Sequence, residues 1–166
     1  MAATGFKRRR RSGFALMESM IAVLLLSLSA LAYAALQLRG LSTNSSALWR
    51  SKAVQLTQEM SDRMRANQAG VVGGSYASLL TPGTAPNCGS TTACTPAQGA
   101  TMDYALWSTE LATALPGGTG VVCIDSTPDD GTATAPACDG TGTGYAIKVF
   151  WTERGTASRL AVGLRP

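Results

Sequence analysis

The chain has 166 residues, 14 Lys and Arg against 10 Asp and Glu, a net charge of +4, four Cys and no His. Without His, a Ser-His-Asp triad, a His-based zinc site and a Cys-His nucleophile pair are all excluded, because the commonest general base and metal ligand is missing. Charged residues make up 14%, where soluble domains run near about 25%, and the hydrophobic share of 45% is ordinary, so one charge-poor domain fits and a multi-span membrane protein does not.

Five of the basic residues form one run, Lys7-Arg8-Arg9-Arg10-Arg11. No aromatic residue interrupts it and an apolar segment follows at once. That is the layout of a membrane-targeting n-region held on the cytoplasmic side, rather than of a nucleic-acid site. Residues 14–38 are dominated by Leu and Ala, without Pro or Gly, and are long enough to cross a hydrocarbon layer of about 30 Å as one helix. Glu18 stands apart, because an ionised carboxylate in lipid costs about 3 kcal/mol or more.

The helical pattern continues past the apolar segment. Trp49, Ala53, Leu56, Met60 and Met64 form one stripe of an amphipathic helix, with charged and polar residues filling the rest. Glu59 and Arg63 are an i,i+4 pair on what reads as an exposed face. Gly40 and residues 42–46 are weak helix formers and allow a bend, and the stop falls near Asn67, ahead of Gly70, Gly73 and Gly74. Unbroken, residues 14–67 would make a rod of about 80 Å.

From residue 69 the composition turns to Gly, Thr, Ser, Ala and Pro. Residues 107–115 read as a short helix and residues 120–125 as a short strand. Tyr145, Ile147, Val149 and Trp151 alternate against Ala146, Lys148 and Phe150, the pattern of a strand. A turn at 152–156 leads to a second alternation through Leu160, Val162 and Leu164, completing a terminal antiparallel hairpin. A sheet packed on the helix stripe gives an α+β head. Residues 81–99 and 126–144 read as loops, and Asp125, Asp129, Asp130 and Asp139 as a solvated acidic loop, since the ligand order of an EF-hand is missing. Residues 140–144, with Gly at every second position, precede a strand and so do not form a dinucleotide fingerprint.

The four cysteines, Cys88, Cys94, Cys123 and Cys138, all fall in this head. Beyond a membrane helix with cations on its N-terminal side they face an oxidising compartment, which favours disulfides. Cys88–Cys94 and Cys123–Cys138 are the local pairing among three connectivities, and free thiols or a metal site are the alternatives. Neither spacing suits zinc, which favours pairs two to four residues apart. No metal or other cofactor is expected.

The order basic run, Gly13, Phe14, Glu18, apolar helix is the informative feature. An ordinary signal peptide would be cut after the apolar region, at residues 30–32 or 32–34, releasing a secreted disulfide-bonded binding domain or enzyme. That reading leaves Glu18 unexplained and discards a helix whose pattern runs on to Met64. Gly13, Phe14 and Glu18, behind a short basic leader, resemble the type IV pilin superfamily, whose leader ends in Gly, is cut before Phe and has Glu at the fifth mature position. The stretch 53–67, with its Asp62-Arg63-Met64-Arg65-Ala66-Asn67 end, and the anchor sequence Met17-Glu18-Ser19-Met20-Ile21 are similar to those of PilV-type minor pilins.

The resemblance implies a non-enzymatic structural subunit. Residues 1–13 would be a class III leader, 14–38 the transmembrane and filament-core helix, 39–68 the amphipathic half of the same helix, and 69–166 a periplasmic α+β head. It further implies cleavage between Gly13 and Phe14 by a prepilin peptidase, N-methylation of Phe14, and residence in the inner membrane before incorporation into the pilus. Other minor pilins, the major pilin and a tip adhesin are the implied partners, with no nucleic acid. A minor pseudopilin of type II secretion shares the same anchor and remains the second reading. Removing residues 1–13 would take away five cations and no anions, turning the net charge from +4 to −1.

Overall fold

The computed structural model describes residues 12–88 and 93–165. The basic run of the expected leader, Lys7 to Arg11, lies outside the described residues. The elements in chain order are α1 (Ser12–Ala66), α2 (Gln68–Val72), β1 (Ser78–Leu79), α3 (Pro96–Ala114), β2 (Thr119–Ile124), β3 (Tyr145–Glu153) and β4 (Thr156–Leu164). Two compact units divide the chain between Ser45 and Ser46. Gly40 and residues 42–46 stay within α1, so the permitted bend does not end the helix.

In the first unit the side chains from Ala15 to Leu41 are exposed, among them Leu16, Met20, Ile21, Leu24, Leu28, Leu31 and Leu36. The serine hydroxyls in this stretch do not need water. Ser19 Oγ donates to the carbonyl of Leu16 at 2.9 Å, Ser27 Oγ to that of Leu24 at 2.8 Å and Ser29 Oγ to that of Leu25 at 2.8 Å. A helix that satisfies its own serine hydroxyls in this way is suited to an apolar solvent.

The second unit is an antiparallel sheet of order β1-β2-β3-β4 with α1 and α3 against one face. Each of the five stripe residues reaches that core: Ala53, Met60 and Met64 are fully buried, and Trp49 and Leu56 pack against them. They meet Tyr145, Ile147, Val149 and Trp151 of β3, whose alternation turns those side chains to one face. Three aromatic side chains deliver their polar tips to main-chain carbonyls. Trp107 Nε1 donates to Leu56 at 2.8 Å, Tyr104 Oη to Gly120 at 2.9 Å and Tyr145 Oη to Val71 at 2.9 Å. Each bond ties two elements together while the ring is buried. Gly120 leaves room for the Trp107 ring, which a Cβ there would overlap.

Several expectations need correction. Residues 96–99 are not loop, because α3 begins at Pro96. Thr95 caps it, accepting from the Gln98 amide at 3.2 Å while Gln98 Oε1 accepts from the Thr95 amide at 2.9 Å, a capping box followed by proline. The short elements α2 and β1 carry no periodicity to read and were not anticipated. The turn narrows to Arg154 and Gly155, whose φ values of 50° and 79° match the two-residue hairpin turn with positive φ at both positions. Both faces of β3 are buried over Tyr145 to Trp151, the face of Ala146, Lys148 and Phe150 as well as that of Tyr145, Ile147, Val149 and Trp151.

Candidate functional site

Gly13 and Phe14 fall within the backbone of α1, and Glu18 is an exposed side chain one turn further on. The apolar run that follows is long enough to cross a membrane, and none of its most apolar window is buried within the chain. Glu18 therefore heads an apolar helical face that the protein itself does not cover.

The end of α1 is a joint. Arg63 pairs with Glu59 at 2.5 Å, lies 3.4 Å from Glu110 and 3.8 Å from Asp103, so the pair expected on an exposed face is half-buried and bridges to α3. Burial pulls the Arg63 guanidinium down, but Glu59, Glu110 and Asp103 outweigh it and hold the pKa above its ordinary value. Asn67 stands where α1 stops. Its Oδ1 caps α2 by accepting from the Gly70 amide at 3.1 Å, and its Nδ2 donates to Tyr76 Oη at 3.0 Å and to the Pro96 carbonyl at 2.8 Å. Tyr76 Oη in turn donates to Asp103 at 2.6 Å. The segment Asp62-Arg63-Met64-Arg65-Ala66-Asn67 thus locks the helix end to α2, to the start of α3 and, through Met64, to the core.

On the other face of the sheet, residues 125–144 fold back as a cover. Cys123 and Cys138 are bonded, with Cα atoms 6.0 Å apart, and Cys88 and Cys94 are bonded with Cα atoms 5.3 Å apart. Lys148 projects from β3 into this cover with no exposed surface. Its Nζ lies 2.5 Å from Asp125 and 2.6 Å from Asp130, and donates to the carbonyls of Pro136 at 2.8 Å and Ala137 at 3.3 Å. Burial lowers the Lys148 pKa, yet the two carboxylates more than reverse it and the net shift is upward. Arg159 makes a second clasp, to the carbonyls of Gly131 at 2.6 Å and Asp129 at 2.9 Å.

The acidic loop is accordingly not simply solvated. Asp125 is buried, Asp129 and Asp130 face cations, and Asp139 accepts from the Ser126 hydroxyl and from the Thr141 amide. Those bonds hold the Asp139 carboxyl at about 2, the Ser126 hydroxyl contributing most. Lys148 was the one available signal for the cover, a lone cation alternating with Ala146 and Phe150. Among the described residues there is no group of three side chains suited to holding a metal ion.

The comparison with protein families matches residues 35–105 to a family described as Tt1218-like, type IV pilin Tt1218. Over that stretch the chain is similar to a type IV pilin. The match spans a little under half of the chain and takes in the second half of α1, the whole Arg63–Asn67 joint, α2, β1 and the first half of α3. No curated protein and no solved structure matches. A helix of this length, apolar in its first half and packed in its second half on a small antiparallel sheet with two disulfides, is pilin-like architecture. Pilins are structural subunits, and the match supports association with other pilins in a pilus.

Proposed function

We propose that the chain is a PilV-like minor pilin, a subunit of a minor-pilin complex that initiates or caps the type IV pilus. The observation that carries this reading is the exposed apolar half of α1 with a single carboxylate, Glu18, near its start. In this reading residues 1–13 are a leader removed by a prepilin peptidase between Gly13 and Phe14, Phe14 is N-methylated, and residues 14–38 anchor the chain in the inner membrane. Residues 39–68 then carry the head, 69–166, in the periplasm until the subunit enters the pilus near its tip. The partners are the other minor pilins, the major pilin and a tip adhesin.

Assembly supplies the chemistry. Cleavage frees an α-amine on Phe14, which is largely cationic at neutral pH. In a bundle of apolar helices this amine pairs with Glu18 of a neighbouring subunit, so that neither charge is left alone among hydrocarbon. N-terminal sequencing of the mature protein tests the reading directly: Phe14 is expected, and Tyr33 or Ala35 would end it in favour of an ordinary signal peptide. Glu18→Ala is expected to insert into the membrane normally yet to reach filaments at least tenfold less well, and wild-type filament levels would remove the pairing. Loss of twitching motility on deletion separates a pilus role from a pseudopilin of type II secretion.

A further inference from the structure

The two edges of the sheet are unequal. At one edge β1 has only two residues, with Pro82 close behind, which protects it against further pairing. At the other, β4 runs for nine residues, Thr156–Leu164, without a proline. Glu153 and Thr156 close the two-residue turn as a hydrogen-bonded pair, so the alternation of an antiparallel ladder turns the N–H and C=O groups of Ala157, Arg159, Ala161 and Gly163 outward. Among the described residues no main-chain bond to another element occupies them. The only charged side chain of β4, Arg159, is held down by Asp129 and Gly131 and does not guard the edge.

Beside this edge lies a groove of about 450 Å³ between α1 and β4, lined by Val54, Gln58 and Ser61 on one side and by Leu160, Val162 and Leu164 on the other. The helix therefore offers a floor for one more strand than the sheet contains. A row of alternating main-chain donors and acceptors about 30 Å long complements an extended strand. The edge of a folded sheet supplies such a strand already extended and adds surface of its own towards the roughly 800 Å² per partner of a stable interface.

We propose that the free edge of β4, with the α1 groove beside it, receives the edge strand of the head domain of a different pilin subunit, joining two sheets into one. Every second side chain of the incoming strand faces the groove, where Leu160, Val162 and Leu164 offer an apolar wall and Gln58, Ser61, Asp62 and Arg65 a polar one. The identity of the partner rests on the pilin reading above; the edge itself does not.

A photo-crosslinking residue, p-benzoylphenylalanine, placed at Ala161 of the full chain in cells carrying the assembly machinery tests this, with Leu80 beside β1 as the control position. Light is expected to join position 161 to a second pilin, with the linked peptide in an edge strand, and to leave position 80 unlinked. Ala157→Pro and Ala161→Pro remove an outward N–H that the fold itself does not use. Each is expected to keep the wild-type melting temperature and to lower co-purification of that pilin at least tenfold; if Ala161→Pro fails to fold, Ala157→Pro carries the test. Undiminished co-purification, a link to a second copy of the chain, a link to a helix or loop of the partner, or no link at all would overturn the proposal. Pilins retained in full by the proline variants would refute the edge and spare the pilin reading. An edge-strand link to a protein lacking an apolar N-terminal helix would refute the pilin partner and spare the edge.

Discussion

At the scale of single residues, Lys148 decides most. A lysine without exposed surface keeps its charge only because Asp125 and Asp130 stand against it. Removing one member of such a pair leaves an uncompensated buried charge, which costs about 3–5 kcal/mol. Lys148→Met is therefore expected to lose about that much in denaturant unfolding, and Lys148→Met with Asp125→Leu to recover most of it. The raised Lys148 pKa means that its contribution is complete below the ordinary lysine value of 10.5 and fades only as pH rises through the folded value. Asp139 works in the opposite sense. Held at about 2 against an ordinary 3.8, its contribution is complete above the ordinary value and is lost as pH falls from about 4 towards 2. Asp139→Asn should remove that part of the acid limb in a melting series across pH, and an unchanged limb would show that other carboxylates set it. None of this was legible from composition. An Asp reads as solvated until something brings a cation over it, and the partners here lie 18 and 23 positions away in the chain.

At the scale of elements, the long regular pieces could be read and the short ones could not. The stripe of α1 and the alternation of β3 repeat often enough to reveal a buried face, and the structure buries them. Five residues of α2 and two of β1 offer no period; they exist because Asn67 caps the one and β2 pairs with the other. The start of α3 was missed for a different reason, since Gly99 and Thr101 dilute its pattern while its signal sits in the cap, Thr95-Pro96 with Gln98. The burial of the second face of β3 could not be read, because its cover is a loop and loops carry no periodicity. The disulfides differ in what they close. Cys123–Cys138 encloses the larger part of the cover, with a separation of 15 residues, and Cys88–Cys94 a separation of 6. Loop-closure entropy assigns about 3 kcal/mol to the first and about 2 kcal/mol to the second. The pair Cys123→Ser with Cys138→Ser is thus expected to be the more destabilising in chemical denaturation. An equal loss from Cys88→Ser with Cys94→Ser would mean that strain or residual structure outweighs loop length.

At the scale of the whole molecule, two units with opposite solvent preferences share one helix. The first presents exposed Leu, Ile, Val and Met from residue 16 onward, and the second contains its own core of aromatic and aliphatic side chains. A chain beginning at Ser46 is expected to stay in the soluble fraction and to keep cooperative thermal unfolding, while the full chain sediments with membranes. Insolubility of the shortened chain would show that the second unit needs the first. The cover on the outer face of the sheet has a consequence for sequence variation. Lys148 and Arg159 hold it through the main-chain carbonyls of Asp129, Gly131, Pro136 and Ala137 as well as through carboxylates. Carbonyls are the same whatever the side chain, and the exposed stretch from Thr132 to Ala135 contributes nothing to the core. The outermost part of this loop is thus free to change its chemical face, including to escape an antibody or to accept an inserted epitope, without renegotiating the packing beneath it.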